Sequence, residues 1–195
     1  MRPAGLLLAA GAGRRMGGPK ALLRARDGVS FLDRAVLALT EGGCDTVTVV
    51  LGAAAAEART MLATAADPGG GPHVDVVVAE DWEEGMGASL RAGLAALAGS
   101  AAPAVVVTLV DLPDVGADVV RRVVATGAGT GSLVRASYAG RPGHPVLLGR
   151  DHWAGVAATA RGDHGAREYF RDHPPTPCEC GDLATGRDVD RPEDL

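Results

Sequence analysis

The sequence predicts an α/β fold of three layers, a mostly parallel central sheet covered by helices on both faces, with residues 1–195 forming one domain. Three observations carry that prediction. Apolar runs rich in β-branched residues recur at Ala4–Ala10, Thr46–Leu51, Val74–Ala79 and Ala104–Leu109, as strands buried on both faces require. Segments with apolar residues three and four apart lie between them, the spacing of helices that pack one face on a sheet. Strand and helix therefore alternate, as they do where crossover helices join parallel strands. Ligands of such sheets sit beyond the carboxyl ends of the strands, so the loops after Ala10, Leu51, Ala79 and Leu109 are expected to share one rim.

Composition narrows the classes. A chain of 195 residues can bury one proper core and is short for two domains. Its net charge of −5, with no basic face to offset it, argues against nucleic acid as a partner. The three cysteines, Cys44, Cys178 and Cys180, are an odd set without repeated spacing, so no disulfide framework is expected. Cys178-Glu179-Cys180 lacks a second ligand pair and reads as structural; free thiols suit a reducing, cytoplasmic setting. The apolar start is too short for a signal peptide followed by Arg14-Arg15, and no run approaches the roughly 20 apolar residues of a membrane helix. A soluble protein with no membrane partner is expected.

The first apolar run empties abruptly into Gly11-Ala12-Gly13-Arg14-Arg15-Met16-Gly17-Gly18-Pro19-Lys20. Glycines let a backbone approach a ligand closely, and successive N–H groups can form an anion-binding concavity. Arg14, Arg15 and Lys20 add positive charge there, so the loop reads as a phosphate cradle. A dinucleotide fingerprint would need glycine where Met16 stands, and a P-loop would need Ser or Thr after Lys20, where Ala21 stands. The plain alternative is a strand-to-helix turn with solvated cations.

Ser30 caps a helix through Phe31, Leu32, Val36 and Leu39 to Gly42-Gly43. Thr46–Leu51 is the second strand, Ala53–Ala66 the second helix, Pro68-Gly69-Gly70-Gly71-Pro72 a flexible connection and Val74–Ala79 the third strand. Asp81–Leu90 then leads into a helix through Leu97; Gly85 and Gly87 leave backbone donors and acceptors open, and Ser89 either contacts a ligand or opens the helix. Ala104–Leu109 ends at Val110-Asp111-Leu112-Pro113-Asp114. A carboxylate at the end of a central strand is a poor core residue and a good Mg²⁺ ligand, so Asp111 is either that or a turn residue. Asp114 is expected to cap the helix through Val119, Val120, Val123 and Val124. Two further strands, Leu133–Tyr138 and Pro145–Leu148, flank Ala139–His144, and Asp151-His152-Trp153 opens another helix. His144 is either a ligand contact or a buried structural histidine. Asp163 and Arg167, four apart in Gly162–Arg167, either pair with each other or leave Arg167 to hold an anion. Asp188 and Asp190, near the end, read by themselves as a solvated acidic tail.

Five of these segments, in order, resemble the nucleotidyltransferases of molybdenum cofactor biosynthesis, the MobA-like NTP transferases, and more broadly the sugar-phosphate and methylerythritol-phosphate nucleotidyltransferases. The family pattern Leu-Ala-Ala-Gly-x-Ser-x-Arg-Met-Gly-x-x-Lys matches Leu8-Ala9-Ala10-Gly11, Arg15-Met16-Gly17 and Lys20, and departs at Gly13. Trp-x-x-Gly-Met-x-x-Ser-Leu matches Trp82, Gly85, Met86, Ser89 and Leu90; Asp-x-Pro matches Asp111 and Pro113, with Leu112 a departure from the usual Gln. Gly-His-Pro-Val matches Gly143–Val146, Gly-Asp-x-Gly-Ala-Arg matches Gly162–Arg167, and the acidic end resembles Asp-x-Asp-Thr-Pro-Glu-Asp-Leu.

The resemblance implies a nucleotide-diphospho-sugar-transferase-like fold and a Mg²⁺-dependent transfer of a nucleoside monophosphate to a small phosphorylated acceptor, with release of pyrophosphate. Arg15, Lys20 and Asp111 are the implied catalytic residues; Leu8, Ala9, Ala10, Gly11, Gly13, Arg14, Gly85, Gly87 and Ser89 line the nucleotide; His144, Asp163 and Arg167 take the acceptor; Asp111 and Asp190 hold metal, with Asp188 behind. Ala10 points to CTP, because guanylyl-transferring relatives carry glycine there. The implied acceptor is the molybdenum cofactor, with a molybdoenzyme or its chaperone as protein partner. A guanylyltransferase, another phosphorylated acceptor, or a non-catalytic module delivering nucleotide or cofactor are the alternatives; a dinucleotide-dependent oxidoreductase fits less well, given Met16 and the lack of an acidic residue directly after Leu51.

Overall fold

The computed structural model describes residues 1–65 and 73–194, apart from the side chains of residues 63–65 and 192. The Pro68–Pro72 connection lies outside the described residues. In chain order the elements are β1 (Ala4–Ala9), α1 (Phe31–Glu41), β2 (Val47–Leu51), α2 (Ala55–Ala65), β3 (Val74–Val78), α3 (Met86–Leu97), β4 (Ala104–Leu109), α4 (Ala117–Thr126), β5 (Leu133–Tyr138), β6 (Arg141–Gly149), α5 (Arg150–Thr159), the short α6 (Tyr169–Asp172) and β7 (Thr176–Glu179).

The seven strands form one sheet in the order β3-β2-β1-β4-β6-β5-β7. β3, β2, β1 and β4 are parallel, with Leu7 of β1 set between Val49 and Thr108. β6 runs antiparallel to β4 and β5, and β7 is parallel to β5. The sheet is therefore mostly parallel, as the alternation of elements predicts. Every residue of β1 and β2 is buried, which explains their unbroken apolar character: alternate side chains enter opposite faces, and both faces are covered.

The two faces are two cores. Leu7, Val49 and Val106 pack with Phe31, Leu32 and Leu39 of α1 and with Val119, Val120 and Val123 of α4. Leu6, Leu8, Val105 and Val107 pack on the opposite side with Leu90 and Leu94 of α3 and with Trp153 and Val156 of α5. Ser30 caps α1 as expected, its Oγ accepting from the Asp33 N–H at 3.0 Å. Truncating a fully buried leucine such as Leu147 costs about 2–5 kcal/mol in cores of this kind.

Four details differ from the sequence reading. The second helix starts at Ala55, two residues later than expected, and β6 extends from Arg141 to Gly149, beyond the expected Pro145–Leu148. β7 lacks a periodic apolar signature and is unanticipated. Asp114 does not cap α4: the cap position is Gly116, without a side-chain bond, and Asp114 Oδ2 instead accepts from both the N–H and the hydroxyl of Thr185, each at 2.6 Å. That long-range tie anchors the C-terminal segment beside the end of β4. No helix among the described residues is long and apolar enough to cross a membrane.

Candidate functional site

The carboxyl ends of β1 and β4 open onto a cavity of about 430 Å³. One wall is the segment Leu8-Ala9-Ala10-Gly11-Ala12-Gly13-Arg14; Lys20 and Asp111 close the side toward β4. Trp82, Gly85, Met86 and Ser89 form the opposite wall, where α3 begins. The rim expected from strand polarity is therefore assembled, and the loop after β2 joins it through the Ala53 N–H, which donates to the Ala10 carbonyl at 3.0 Å.

The glycine loop owes its shape to Gly13. Its φ is +57°, and a Cβ there would lie 2.0 Å from the Gly18 carbonyl oxygen. The Gly13 carbonyl accepts from the N–H groups of Met16 at 2.9 Å and Gly18 at 3.3 Å, folding the loop back on itself. The serine that the resemblance leads one to expect has no room in this loop conformation. Met16 is buried in the core on the α1 face and anchors the loop from beneath.

Asp111, Asp188 and Asp190 offer carboxylate oxygens that all lie within 4.8 Å of one another. Lys20 Nζ reaches into them, 2.7 Å from Asp111 Oδ2 and 2.5 Å from Asp190 Oδ1. Chain reversal brings the two distant aspartates there: the Val189 N–H donates to the Asp111 carbonyl at 2.9 Å, and Asp194 Oδ2 accepts from the Asp190 and Arg191 N–H groups at 3.1 and 2.9 Å. Burial works against the Lys20 ammonium, but its bonds to Asp111 and Asp190 outweigh that and hold its pKa above 10.5. The Lys20 bond holds the Asp190 carboxyl below its ordinary 3.8. Asp111 Oδ1 is buried and has no hydrogen-bond partner among the described residues. An orphaned carboxylate oxygen beside two more carboxylates is a donor set that suits a hard divalent cation such as Mg²⁺ or Mn²⁺. The residues fit a metal, which Asp111, Asp188 and Asp190 could hold between them.

A second, smaller cavity of about 100 Å³ adjoins the first and shares Leu8, Met86 and Asp163 with it. His144, Asp163 and Arg167 all line it. No ion pair joins Asp163 to Arg167 among the described residues. Asp163 instead packs against Gly85, where φ is +120° and a Cβ would lie 2.4 Å from its Oδ1. His144 is half-buried, and burial pushes its imidazole down to about 4, so it is neutral at neutral pH.

Two residues of the expected set stand elsewhere. Arg15 does not line the larger cavity; its side chain is 79% exposed and its Nη1 lies 3.8 Å from Asp190 Oδ2. Gly87 does not line it either; it faces the Arg161 backbone, which a Cβ would meet at 2.8 Å. Ser89 is buried in the first turn of α3 and lines the larger cavity. One residue was overlooked: Arg135, in the middle of β5, lines the smaller cavity. A charge between apolar Val134 and Ala136 of a strand is the signal that could find it, as a charge at a strand end finds Asp111.

Residues 5–176 match the model of the MobA-like NTP transferase domain. The chain is 37% identical over 202 residues to the nicotine blue oxidoreductase of Paenarthrobacter nicotinovorans, covering 98% of this chain and 93% of that protein. It is 36% identical over 156 residues to the molybdenum cofactor guanylyltransferase of Rhodobacter capsulatus, covering 78% of this chain and 66% of the relative. The crystal structure of Rv0371c from Mycobacterium tuberculosis H37Rv superposes with a TM-score of 0.77 at 30% identity, over 100% of this chain and 95% of that one. The same protein has also been solved as a complex with manganese, which matches with a TM-score of 0.68 at 29% identity over 92% and 88% of the two chains. The chain belongs to the MobA-like NTP transferase family, with the three-layer nucleotidyltransferase fold.

Proposed function

We propose that the protein transfers CMP from CTP to the phosphate of a small acceptor, most closely the molybdenum cofactor, with Mg²⁺ as the working metal. The observation that carries this reading is the Lys20–Asp111–Asp188–Asp190 cluster at the edge of a cavity walled by a glycine loop. Such a site offers backbone donors and two cations, Arg14 and Lys20, to a triphosphate, with carboxylates where a phosphate-bridging metal would be held.

An oxygen of the acceptor phosphate attacks the α-phosphorus, forming a new P–O bond. The bond from the α-phosphorus to the bridging oxygen breaks, and pyrophosphate leaves with that electron pair. The acceptor phosphate is already anionic, so no general base is needed, and the neutral His144 fits a contact role. Catalysis then rests on alignment and on stabilising charge at the phosphates. Lys20 moves from the carboxylates to the phosphates when nucleotide enters, and Gly13 holds the N–H groups of the loop in place. A Mg²⁺ held by Asp111 and Asp190 would supply charge neutralisation at the phosphates. Arg15, at the cluster's outer edge, supplies long-range charge.

The Rhodobacter relative, named a guanylyltransferase, favours GTP as the alternative donor. Ala10, which lines the cavity with its side chain buried, is the ground for preferring CTP. The Paenarthrobacter relative, named an oxidoreductase, favours a redox reading of the same cavity. Against it, Met16 fills the core position where a dinucleotide fingerprint needs glycine. Parallel assays decide: pyrophosphate release with CTP or GTP and molybdopterin acceptor, against acceptor-dependent oxidation of NADH or NADPH. Turnover in the second without the first would replace nucleotidyl transfer by the redox reading.

A further inference from the structure

The smaller cavity contains a feature that none of the matched motifs accounts for. Its floor is apolar, built by Leu90, Val107, Leu148 and Phe170, yet Arg135 and Arg167 both line it. Arg135 projects from β5 between buried Val134 and buried Ala136. Its Nε donates to the Gly143 carbonyl at 3.1 Å, and its Cζ lies 5.8 Å from the Phe170 ring centroid. These two contacts orient the guanidinium fork, and its terminal nitrogens have no hydrogen-bond partner among the described residues.

Neither arginine forms an ion pair among the described residues, although Asp163 lines the same cavity. Burial, and then the charge of Arg167, act against the charged form of Arg135. His144 adds no charge at neutral pH. Arg135 is partly desolvated while Arg167 is exposed, and a partly desolvated cation near a second cation is unfavourable unless a counter-charge enters. A planar fork pre-set by packing is suited to the geometry of a phosphate.

We propose that Arg135 and Arg167 form a subsite for a phosphomonoester dianion, with the body of the acceptor lying on the apolar floor. The inference rests on reading this cavity as the acceptor's, and it makes Arg135 a specificity-determining residue. A phosphodiester, carrying one charge less, is accepted more weakly.

The test is titration of the full chain with phenyl phosphate while a non-hydrolysable CTP analogue and Mn²⁺ fill the larger cavity, so that the glycine loop cannot bind the probe. Arg135→Gln is expected to weaken phenyl phosphate binding by about 10- to 100-fold, the worth of one charge-assisted contact. Arg135→Lys, which keeps the charge but loses the fork, is expected to recover part of that loss, and methyl phenyl phosphate to bind more weakly than the monoester. CTP-analogue affinity should be the same in both variants as in the wild type. Folded Arg135→Gln and Arg135→Lys variants that bind phenyl phosphate as the wild type does would overturn the inference. So would a wild-type chain that shows no saturable phenyl phosphate binding. Phenyl phosphate binding that depends on Arg135 in a chain that takes up no CTP analogue would leave the subsite standing and sink nucleotidyl transfer.

Discussion

Lys20 is the residue on which the account makes its least intuitive prediction. Its ammonium bridges Asp111 and Asp190 at 2.7 and 2.5 Å, inside a cluster whose third carboxylate is Asp188. It therefore occupies the charge position that a divalent cation would need. In Lys20→Met the stem remains similar in length and the charge disappears. At an effective dielectric near 20, a unit charge about 4 Å from another is worth roughly 4 kcal/mol before desolvation. Lys20 and Asp111 are each only 16% exposed, but Asp190 is 40% exposed and screened, so the net loss of stability is about 1–3 kcal/mol. For a chain of this size that is a fall of about 3–10 °C in Tm. The same substitution removes the competitor for the carboxylates, so Mn²⁺ binding without nucleotide should tighten by about tenfold or more. Calorimetric titration with Mn²⁺, paired with melting curves with and without the ion, reads both effects. Mn²⁺ affinity that stays the same or falls in a folded Lys20→Met variant would refute the idea that lysine and metal exchange on one set of oxygens.

Three further predictions follow from the same geometry. Asp111→Asn should lower pyrophosphate release by about 10²–10³-fold, whereas Arg15→Ala, removing an exposed side chain 3.8 Å from Asp190, should cost no more than about tenfold; steady-state kinetics with equal losses for the two would contradict the placement. Gly13→Ser should raise the KM for nucleotide and lower Tm, because a side chain at φ +57° and 2.0 Å from the Gly18 oxygen forces the loop to shift; unchanged values would mean that the loop relaxes freely. Stability should also depend on pH through the cluster. Asp190 is depressed below 3.8 by the Lys20 bond, so its contribution is present above that value and lost as pH falls through the lower folded value. Lys20 is raised above 10.5, so its contribution is full below that pH and lost as pH rises through the higher folded value. Denaturant melts across pH should show both limbs, and Lys20→Met should flatten them.

The parts of this protein that were legible in its sequence are those set by local chemistry. β1, β2 and β4 are buried on both faces, so an unbroken apolar run marks them, and the capping serine at Ser30 speaks through its immediate neighbours. Asp111 stood out because a carboxylate ending such a run needs a reason. β7 did not: Thr176-Pro177-Cys178-Glu179 buries one side chain of four, and its pairing with β5 depends on where the rest of the sheet ends. Asp114 reads as a cap because a helix cap and a long-range tether use the same side chain, and only the position of Thr185, 71 residues away, distinguishes them. Arg14 and Arg15 are adjacent and alike in sequence, yet the turn fixed by Gly13 turns one toward the cavity and leaves the other beside Asp190. Arg135 was hidden for a different reason. Its significance lies in its lack of an ion pair among the described residues while it lines the cavity beside Arg167, which is a property of the packing.

The central claim is that the two adjoining cavities transfer a nucleoside monophosphate between a triphosphate and a phosphorylated acceptor. Pyrophosphate release with Mg²⁺ tests it most directly, offering CTP and GTP separately, each with and without molybdopterin or its molybdenum form. The account predicts release that requires both CTP and the acceptor. Release with GTP alone among the nucleotides would overturn the Ala10 argument and leave the metal cluster and loop as described. No acceptor-dependent release from either nucleotide, in a chain that turns over NADH or NADPH with the same acceptor, would contradict the claim itself.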